Sequence, residues 1–244
     1  MDAIILAGGF AKRMWPLTKN KPKQLLDIAG KPMLDYVIDS LKNLNLDRII
    51  VSVNSFFASQ FQDYLDSKIN ANNIELFIEK SDNEEEKLGA LGALNLLFRK
   101  KNLVGPVFIA GGDNLSDFEL EKMINVYDEY NKDVIGLFDV EKIDLAKLYG
   151  IADLEENRIV DFVEKPPSPP STLAATAYWL LSESGIANFF SYINEGGDRD
   201  AMGNFLAWNV KKNPVYSVSF NGNWYDIGSL ESYYEAQKWV ERRP

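Results

Sequence analysis

Glycines, cations and aspartates recur at the ends of apolar runs in this chain, and together they are the residue types that handle phosphate. Ala3-Ile4-Ile5-Leu6 leads directly into Leu6-Ala7-Gly8-Gly9-Phe10-Ala11-Lys12-Arg13, followed by Pro16-Leu17-Thr18 and Lys21-Pro22-Lys23. A backbone without bulky side chains brings its N–H groups close to phosphate oxygens, and Lys12, Arg13 and Lys23 supply the charge. This opening segment therefore reads as a nucleotide-phosphate site. It fits neither the P-loop spacing nor the dinucleotide G-x-G-x-x-G. Phe108-Ile109-Ala110-Gly111-Gly112-Asp113-Asn114 is a second apolar run ending in glycines and an acid. Asp113 stands where a strand gives way to a loop, either as a magnesium ligand beside phosphates or as the cap of a following helix near 115–118. Trp224-Tyr225-Asp226-Ile227-Gly228 carries another acid, which by itself could also cap a turn before Gly228.

Composition removes whole classes of chemistry. The 244 residues contain no cysteine and no histidine. Disulfides, thiolate or imidazole metal sites and histidine acid–base catalysis are therefore excluded. What remains is carboxylates, lysines, arginines, hydroxyls and a hard cation. The net charge of −10 argues against nucleic-acid or anionic-membrane partners, although cations converging locally still accommodate an anionic nucleotide. A strand-like run begins almost at Met1, with no signal peptide ahead of it, and no apolar run is long enough to span a membrane, so a cytoplasmic enzyme is expected.

The elements that must position these residues alternate in the first half. Strands are expected at 3–6, 48–53, 75–78, 107–110 and 134–138, and helices at 33–44, 55–69 and 115–130. Alternation of this kind predicts an α/β fold of the Rossmann-like type, a mostly parallel mixed sheet with helices on both faces and ligands at the carboxyl ends of the strands. The second half adds strands at 149–154, 158–163, 173–181 and 215–220, with helices at 184–193, 201–211 and 230–240, the last capped by Ser229. One domain over 1–244 is expected, with a nucleotide-binding half to about 140 and a second half beyond it.

The string Gly8-Gly9, Arg13, Pro16-Leu17-Thr18, Lys21-Pro22-Lys23-Gln24-Leu25-Leu26 and Gly30-Lys31-Pro32-Met33 resembles the signature of the sugar-phosphate nucleotidyltransferases, in particular glucose-1-phosphate thymidylyltransferase and uridylyltransferase in a short form without a β-helix domain. The resemblance runs from Ala3 to Tyr233 in the family's order. It implies that Asp113 and Asp226 ligate Mg²⁺ and that Leu6, Ala7, Gly8, Gly9, Lys12, Arg13 and Gly89 line the nucleotide. It also implies that the half beyond about 140 is the sugar-phosphate half, in which Tyr149, Gly150, Glu164 and Lys165 hold the sugar phosphate. Thr176 either contacts the sugar or belongs to a buried strand. Three elements depart from the family pattern, one being Ala175-Thr176-Ala177-Tyr178-Trp179, where members often carry N-A-G-I-Y. Ala11-Lys12 replace Gly-Thr in the first loop, and Ala90-Leu91 replace Thr-Ala in Leu88-Gly89-Ala90-Leu91-Gly92-Ala93, which leaves the base unassigned. Glycines in such a helix-like stretch cost about 1 kcal/mol each against alanine, which points to close approach by a ligand or another helix. Arg199-Asp200-Ala201-Met202-Gly203-Asn204-Phe205 resembles an element before a helix in short members and is assigned no chemistry.

The reaction so implied joins a sugar 1-phosphate, most simply glucose 1-phosphate, to a nucleoside triphosphate, dTTP or UTP, with release of pyrophosphate. Its nucleophile is a phosphate monoester with a second pKa of about 6, so no general base is needed. Alignment and charge neutralisation suffice, with Arg13, Lys23, Asp113 and Asp226 as the catalytic set. Three other readings stay open: mannose 1-phosphate with GTP, phosphocholine with CTP, and a non-catalytic regulator that binds nucleotide-sugar. Self-association is also left open.

Overall fold

In the computed structural model, residues 1–68 and 73–243 are described. The fold is mixed α/β. It clusters into two compact units that do not follow chain order. One comprises residues 2–87, 110–118 and 222–244, and the other comprises Met1, 88–109 and 119–221.

In the first of these, strands Asp2–Leu6, Arg48–Asn54 and Ile74–Glu79 pair in parallel, with Leu6 opposite Ser52 and Asn54 opposite Glu79. The apolar runs predict this, because strands buried on both faces read as near-continuous Val/Ile/Leu. Ala3, Ile4, Ile5, Ile50, Val51 and Val53 are indeed fully buried. The expected helix at 55–69 is a 3-10 turn, Ser55–Phe57, leading into Ala58–Asp66; its expected last residue, Ile69, lies outside the described residues. Asn54 caps the turn by accepting from the Phe57 N–H at 2.9 Å. The helix expected at 33–44 is Met33–Ser40, and the remainder, with buried Leu41 and Leu44, continues as turns.

The helix expected over 115–130 is corrected by the structure. Asn114–Ser116 is a strand, and the helix is Glu121–Tyr130. The cause is a non-local partner. Asn114–Ser116 pairs antiparallel with Trp224–Asp226, and Leu115 is buried in a cluster with Met14, Ile28, Met33, Ile227, Tyr233 and Ala236. Fully burying an aliphatic side chain is worth about 1.5–3 kcal/mol, which outweighs weak local helix propensity. Tyr233 and Ala236 reach that cluster from the helix Leu230–Glu241, whose N-cap is Ser229 as expected, in a reciprocal capping arrangement with Ser232.

The second unit contains the antiparallel pairings. Gly150–Glu155 and Arg158–Glu164 form a hairpin with Gly150 opposite Glu164. Leu173–Leu181 runs antiparallel to Asp133–Asp139, and Val215–Phe220 runs parallel to it. Asp133 anchors this unit from inside. Its carboxylate accepts from Ser182 N at 2.9 Å, Ser182 Oγ at 2.7 Å and Asn209 Nδ2 at 2.8 Å. Burial raises its pKa above the ordinary carboxylate value in spite of these donors. The helices of this unit include Gly89–Lys101, Glu183–Asn194 and Met202–Asn209; the last two were expected at 184–193 and 201–211. No helix among the described residues is long and apolar enough to cross a membrane.

Candidate active site

Asp113 and Asp226 meet because two short strands pair. Asp226 lies opposite Asn114 in the ribbon Asn114–Ser116 with Trp224–Asp226, and Ile227 N donates to Asp113 O at 3.0 Å. Asn114 ties the acids together. Its Nδ2 donates to Asp113 Oδ1 at 2.9 Å and to Asp226 Oδ1 at 3.4 Å, while its Oδ1 accepts from Trp224 Nε1 at 2.7 Å. Residue reading did not single out Asn114; its place directly after Asp113, in the strand that pairs with Asp226, was the available signal.

Lys23 completes the cluster. It follows Pro22 in a 3-10 turn, Lys23–Leu25, and its ammonium lies 2.5 Å from Asp113 Oδ2 and 2.7 Å from Ile227 O. The Lys23 side chain is only 9% exposed whereas Asp113 keeps 27%, so the pair opens toward solvent on the aspartate side. Burial pushes the Asp113 carboxyl upward, but the Lys23 charge and the hydrogen bonds from Lys23 and Asn114 outweigh it and hold the group below its usual value. Asp226 moves the other way. Burial first, then the neighbouring Asp113 charge, raise it to about 6 against the pull of Lys23, Arg13 and Asn114. Arg13 is exposed, and its Nη2 comes so near Gly228 that a Cβ there would lie 3.3 Å from it. Arg13, Lys23, Asp113 and Asp226 are therefore brought together within one unit.

The glycine loop behaves differently at its two positions. A Cβ on Gly8 would lie 2.9 Å from the Glu79 carboxylate, whereas one on Gly9 would meet nothing within 4 Å. A side chain at Gly8 would press on that carboxylate, and Gly9 is the open position. Asn54 Nδ2 pins Gly8 O at 2.9 Å, Ser52 Oγ donates to Glu79 Oε1 at 2.7 Å, and Ala7 N donates to Ser52 O at 2.8 Å. Burial raises the Glu79 pKa. Ala11 sits in the left-handed region at φ 49°, a backbone that favours glycine. Gly112 packs against the end of the first strand, its N–H donating to Leu6 O at 2.9 Å. Beside it, the buried side-chain oxygen of Gln24 has no hydrogen-bond partner among the described residues. Lys12 is exposed.

In the other unit, Glu164 and Lys165 end the strand Arg158–Glu164. Lys165 takes a left-handed φ of 46°, its N–H donates to Tyr149 O at 3.1 Å, and its ammonium is exposed, 3.7 Å from Glu164 Oε1. Glu164 is raised by burial, with the Lys165 charge opposing. Gly150 lies against Phe162 and Glu164. Thr176 is buried, and its hydroxyl donates to Gly136 O at 2.8 Å, inside the sheet. Gly89, at φ 70°, begins its helix against the backbone of Arg199 and Asp200. The Asp200 carbonyl accepts from Ala90 N at 2.9 Å and the Arg199 carbonyl from Leu91 N at 3.1 Å. The close approach that its glycine signalled is therefore made by this segment of the protein.

The two aspartates suit a hard divalent cation that takes one or two carboxylates and completes its shell with water and phosphate oxygens. Among the described residues no group of three or more acidic, histidine or cysteine ligands converges.

The chain is similar to several known proteins. Mannose-1-phosphate guanylyltransferase 1 of Arabidopsis thaliana is 29% identical over 244 residues, covering 96% of this chain and 63% of that protein. The mannose-1-phosphate guanylyltransferase catalytic subunit beta of Xenopus tropicalis is 31% identical over 239 residues, covering 96% and 62%. The chain spans about three fifths of the length of these curated relatives. In fold it is similar to UDP-glucose pyrophosphorylase solved with UDP-glucose, with a TM-score of 0.83 at 23% identity over 99% of each chain. The family described as nucleotidyl transferase matches residues 2–243, and the chain belongs to that family.

Proposed function

We propose that this chain transfers a nucleotidyl group from a nucleoside triphosphate to a sugar 1-phosphate, with release of pyrophosphate. The observation that carries the reading is the meeting of Lys23, Asp113 and Asp226 around Asn114, with Arg13 beside them. These residues supply what in-line phosphoryl chemistry needs, namely fixed positive charge and hard oxygen ligands. Arg13 binds the triphosphate and steadies the departing pyrophosphate. Lys23 neutralises charge at the α-phosphate. Asp113 and Asp226 would hold Mg²⁺, which supplies Lewis-acid charge neutralisation when bound. Glu164 and Lys165 hold the sugar and its phosphate. No side chain needs to take a proton, because the attacking phosphate oxygen is already largely ionised at neutral pH.

For the substrate pair, mannose 1-phosphate with GTP is the first choice, supported by the names of relatives at 29% and 31% identity. Glucose 1-phosphate with dTTP or UTP is the second, supported by the resemblance of the segment Gly8 to Met33. The test is pyrophosphate release in Mg²⁺, with GTP, dTTP, UTP, CTP and ATP each crossed against mannose, glucose, galactose and N-acetylglucosamine 1-phosphates. Release that requires both substrates supports the transferase and names the pair. Nucleotide-sugar binding without release from any pair supports a regulator instead.

A further inference from the structure

Gly203 is the second residue of the helix Met202–Asn209 and is buried. A Cβ built on it would fall 1.8 Å from Glu164 Oε2 and 2.8 Å from Glu164 Cδ. No real side chain can stand there unless the carboxylate leaves. Gly150 presses on the same oxygen from the opposite strand of the hairpin, where a Cβ would lie 2.7 Å from Oε2. The Glu164 carboxylate is thus set between two bare stretches of backbone, with the ring of Phe162 as a third neighbour. The segment ahead of Gly203 is braced. The carbonyls of Arg199 and Asp200 accept from the first turn of the helix Gly89–Lys101, and Tyr192 Oη donates to Asp198 O at 2.9 Å. Backbone held in this way is a fixed wall and does not yield like the tip of a flexible side chain.

We propose that Gly203 is a positioning residue for sugar recognition: its missing side chain fixes where Glu164 presents its carboxylate, and any larger residue there moves that carboxylate off the sugar. The proposal rests on the reading of Glu164 as a sugar ligand. It accounts for the motif Arg199 to Phe205 beyond helix initiation, since one end of the motif braces the helix at Gly89 and the other shapes Glu164.

The test uses steady-state kinetics with the substrate pair found active, on the full chain. Glu164→Gln is expected to raise the sugar 1-phosphate KM about tenfold, with the nucleoside triphosphate KM unchanged, as loss of a charged hydrogen bond of about 1.4 kcal/mol does. Gly203→Ala is expected to do the same. Combining Gly203→Ala with Glu164→Asp, which withdraws the carboxylate by one methylene, should recover much of the lost sugar affinity, although Glu164→Asp alone weakens it. A Gly203→Ala protein with normal sugar KM beside an impaired Glu164→Gln protein overturns the proposal. A Glu164→Gln protein with normal sugar KM overturns the reading beneath it. Should Gly203→Ala fold poorly, the melting temperature decides. Its deficit must vanish on an added Glu164→Ala, and persistence of the deficit overturns the proposal.

Discussion

The ammonium of Lys23 lies 2.5 Å from Asp113 Oδ2 and is held from behind by Ile227 O at 2.7 Å. The cation proposed to neutralise phosphate is therefore also the partner of a carboxylate proposed to hold the metal. Its removal has two consequences that can be separated. Lys23→Met leaves Asp113 without its cation, facing Asp226 with only the Asn114 amide between them and Arg13 nearby, which costs about 3 kcal/mol of stability by the usual penalty for breaking a buried pair. It also lowers turnover about 100-fold or more, as loss of a preorganised charge does. Urea denaturation and pyrophosphate release measured on the same preparation check both. A variant with wild-type turnover removes Lys23 from the chemistry.

Asn114 is the hinge between the two acids. Asn114→Ala should weaken binding of Mn²⁺ and lower turnover, each by about tenfold to 100-fold, the range found when an outer partner of a metal ligand is lost. Mn²⁺ titration followed by electron paramagnetic resonance reads the first effect without reference to activity. Unchanged Mn²⁺ affinity would mean that Asn114 does not orient the carboxylates.

Glu79 gives the pH dependence. Burial against Gly8 raises its pKa above 4.5 in the folded protein, and the hydrogen bond from Ser52 only partly opposes this. Ionisation is then costlier in the folded than in the unfolded chain. Stability contributed by this group is present below about pH 4.5 and is lost as pH rises through the folded value. Glu79→Gln keeps an acceptor for Ser52 and removes the ionisation. The variant should therefore gain on wild type between pH 4 and pH 8, and equilibrium denaturation at both ends measures it. A constant difference across that range would refute the assignment.

Ala11 carries a left-handed backbone at φ 49°. A left-handed conformation costs an L-residue roughly 1–2 kcal/mol, and a β-branched residue more. Ala11→Gly should be neutral to stabilising by about 1 kcal/mol, because glycine's greater unfolded-state entropy offsets part of the relief. Ala11→Val should destabilise by about 2 kcal/mol. Thermal unfolding of the pair orders them, and a Val variant as stable as the Gly variant would contradict the backbone geometry.

The local elements were legible from residue order alone. The strands at the start of the chain and the Ser229 cap follow from periodicity and capping chemistry, both of which act over a few residues. Tertiary structure decided what depends on partners distant in sequence. Leu115 left the expected helix because Tyr225 lies opposite it in a strand formed near the other end of the chain. The same pairing placed Asp226 beside Asn114, and hence the second acid beside the first, an encounter no spacing along the chain encodes. The glycines divide in the same way. Their types could be read in sequence, but only the fold shows that Gly8 yields to Glu79, Gly89 to the carbonyl of Arg199 and Gly203 to Glu164, because close approach is a property of atoms brought together by packing and not of residue order.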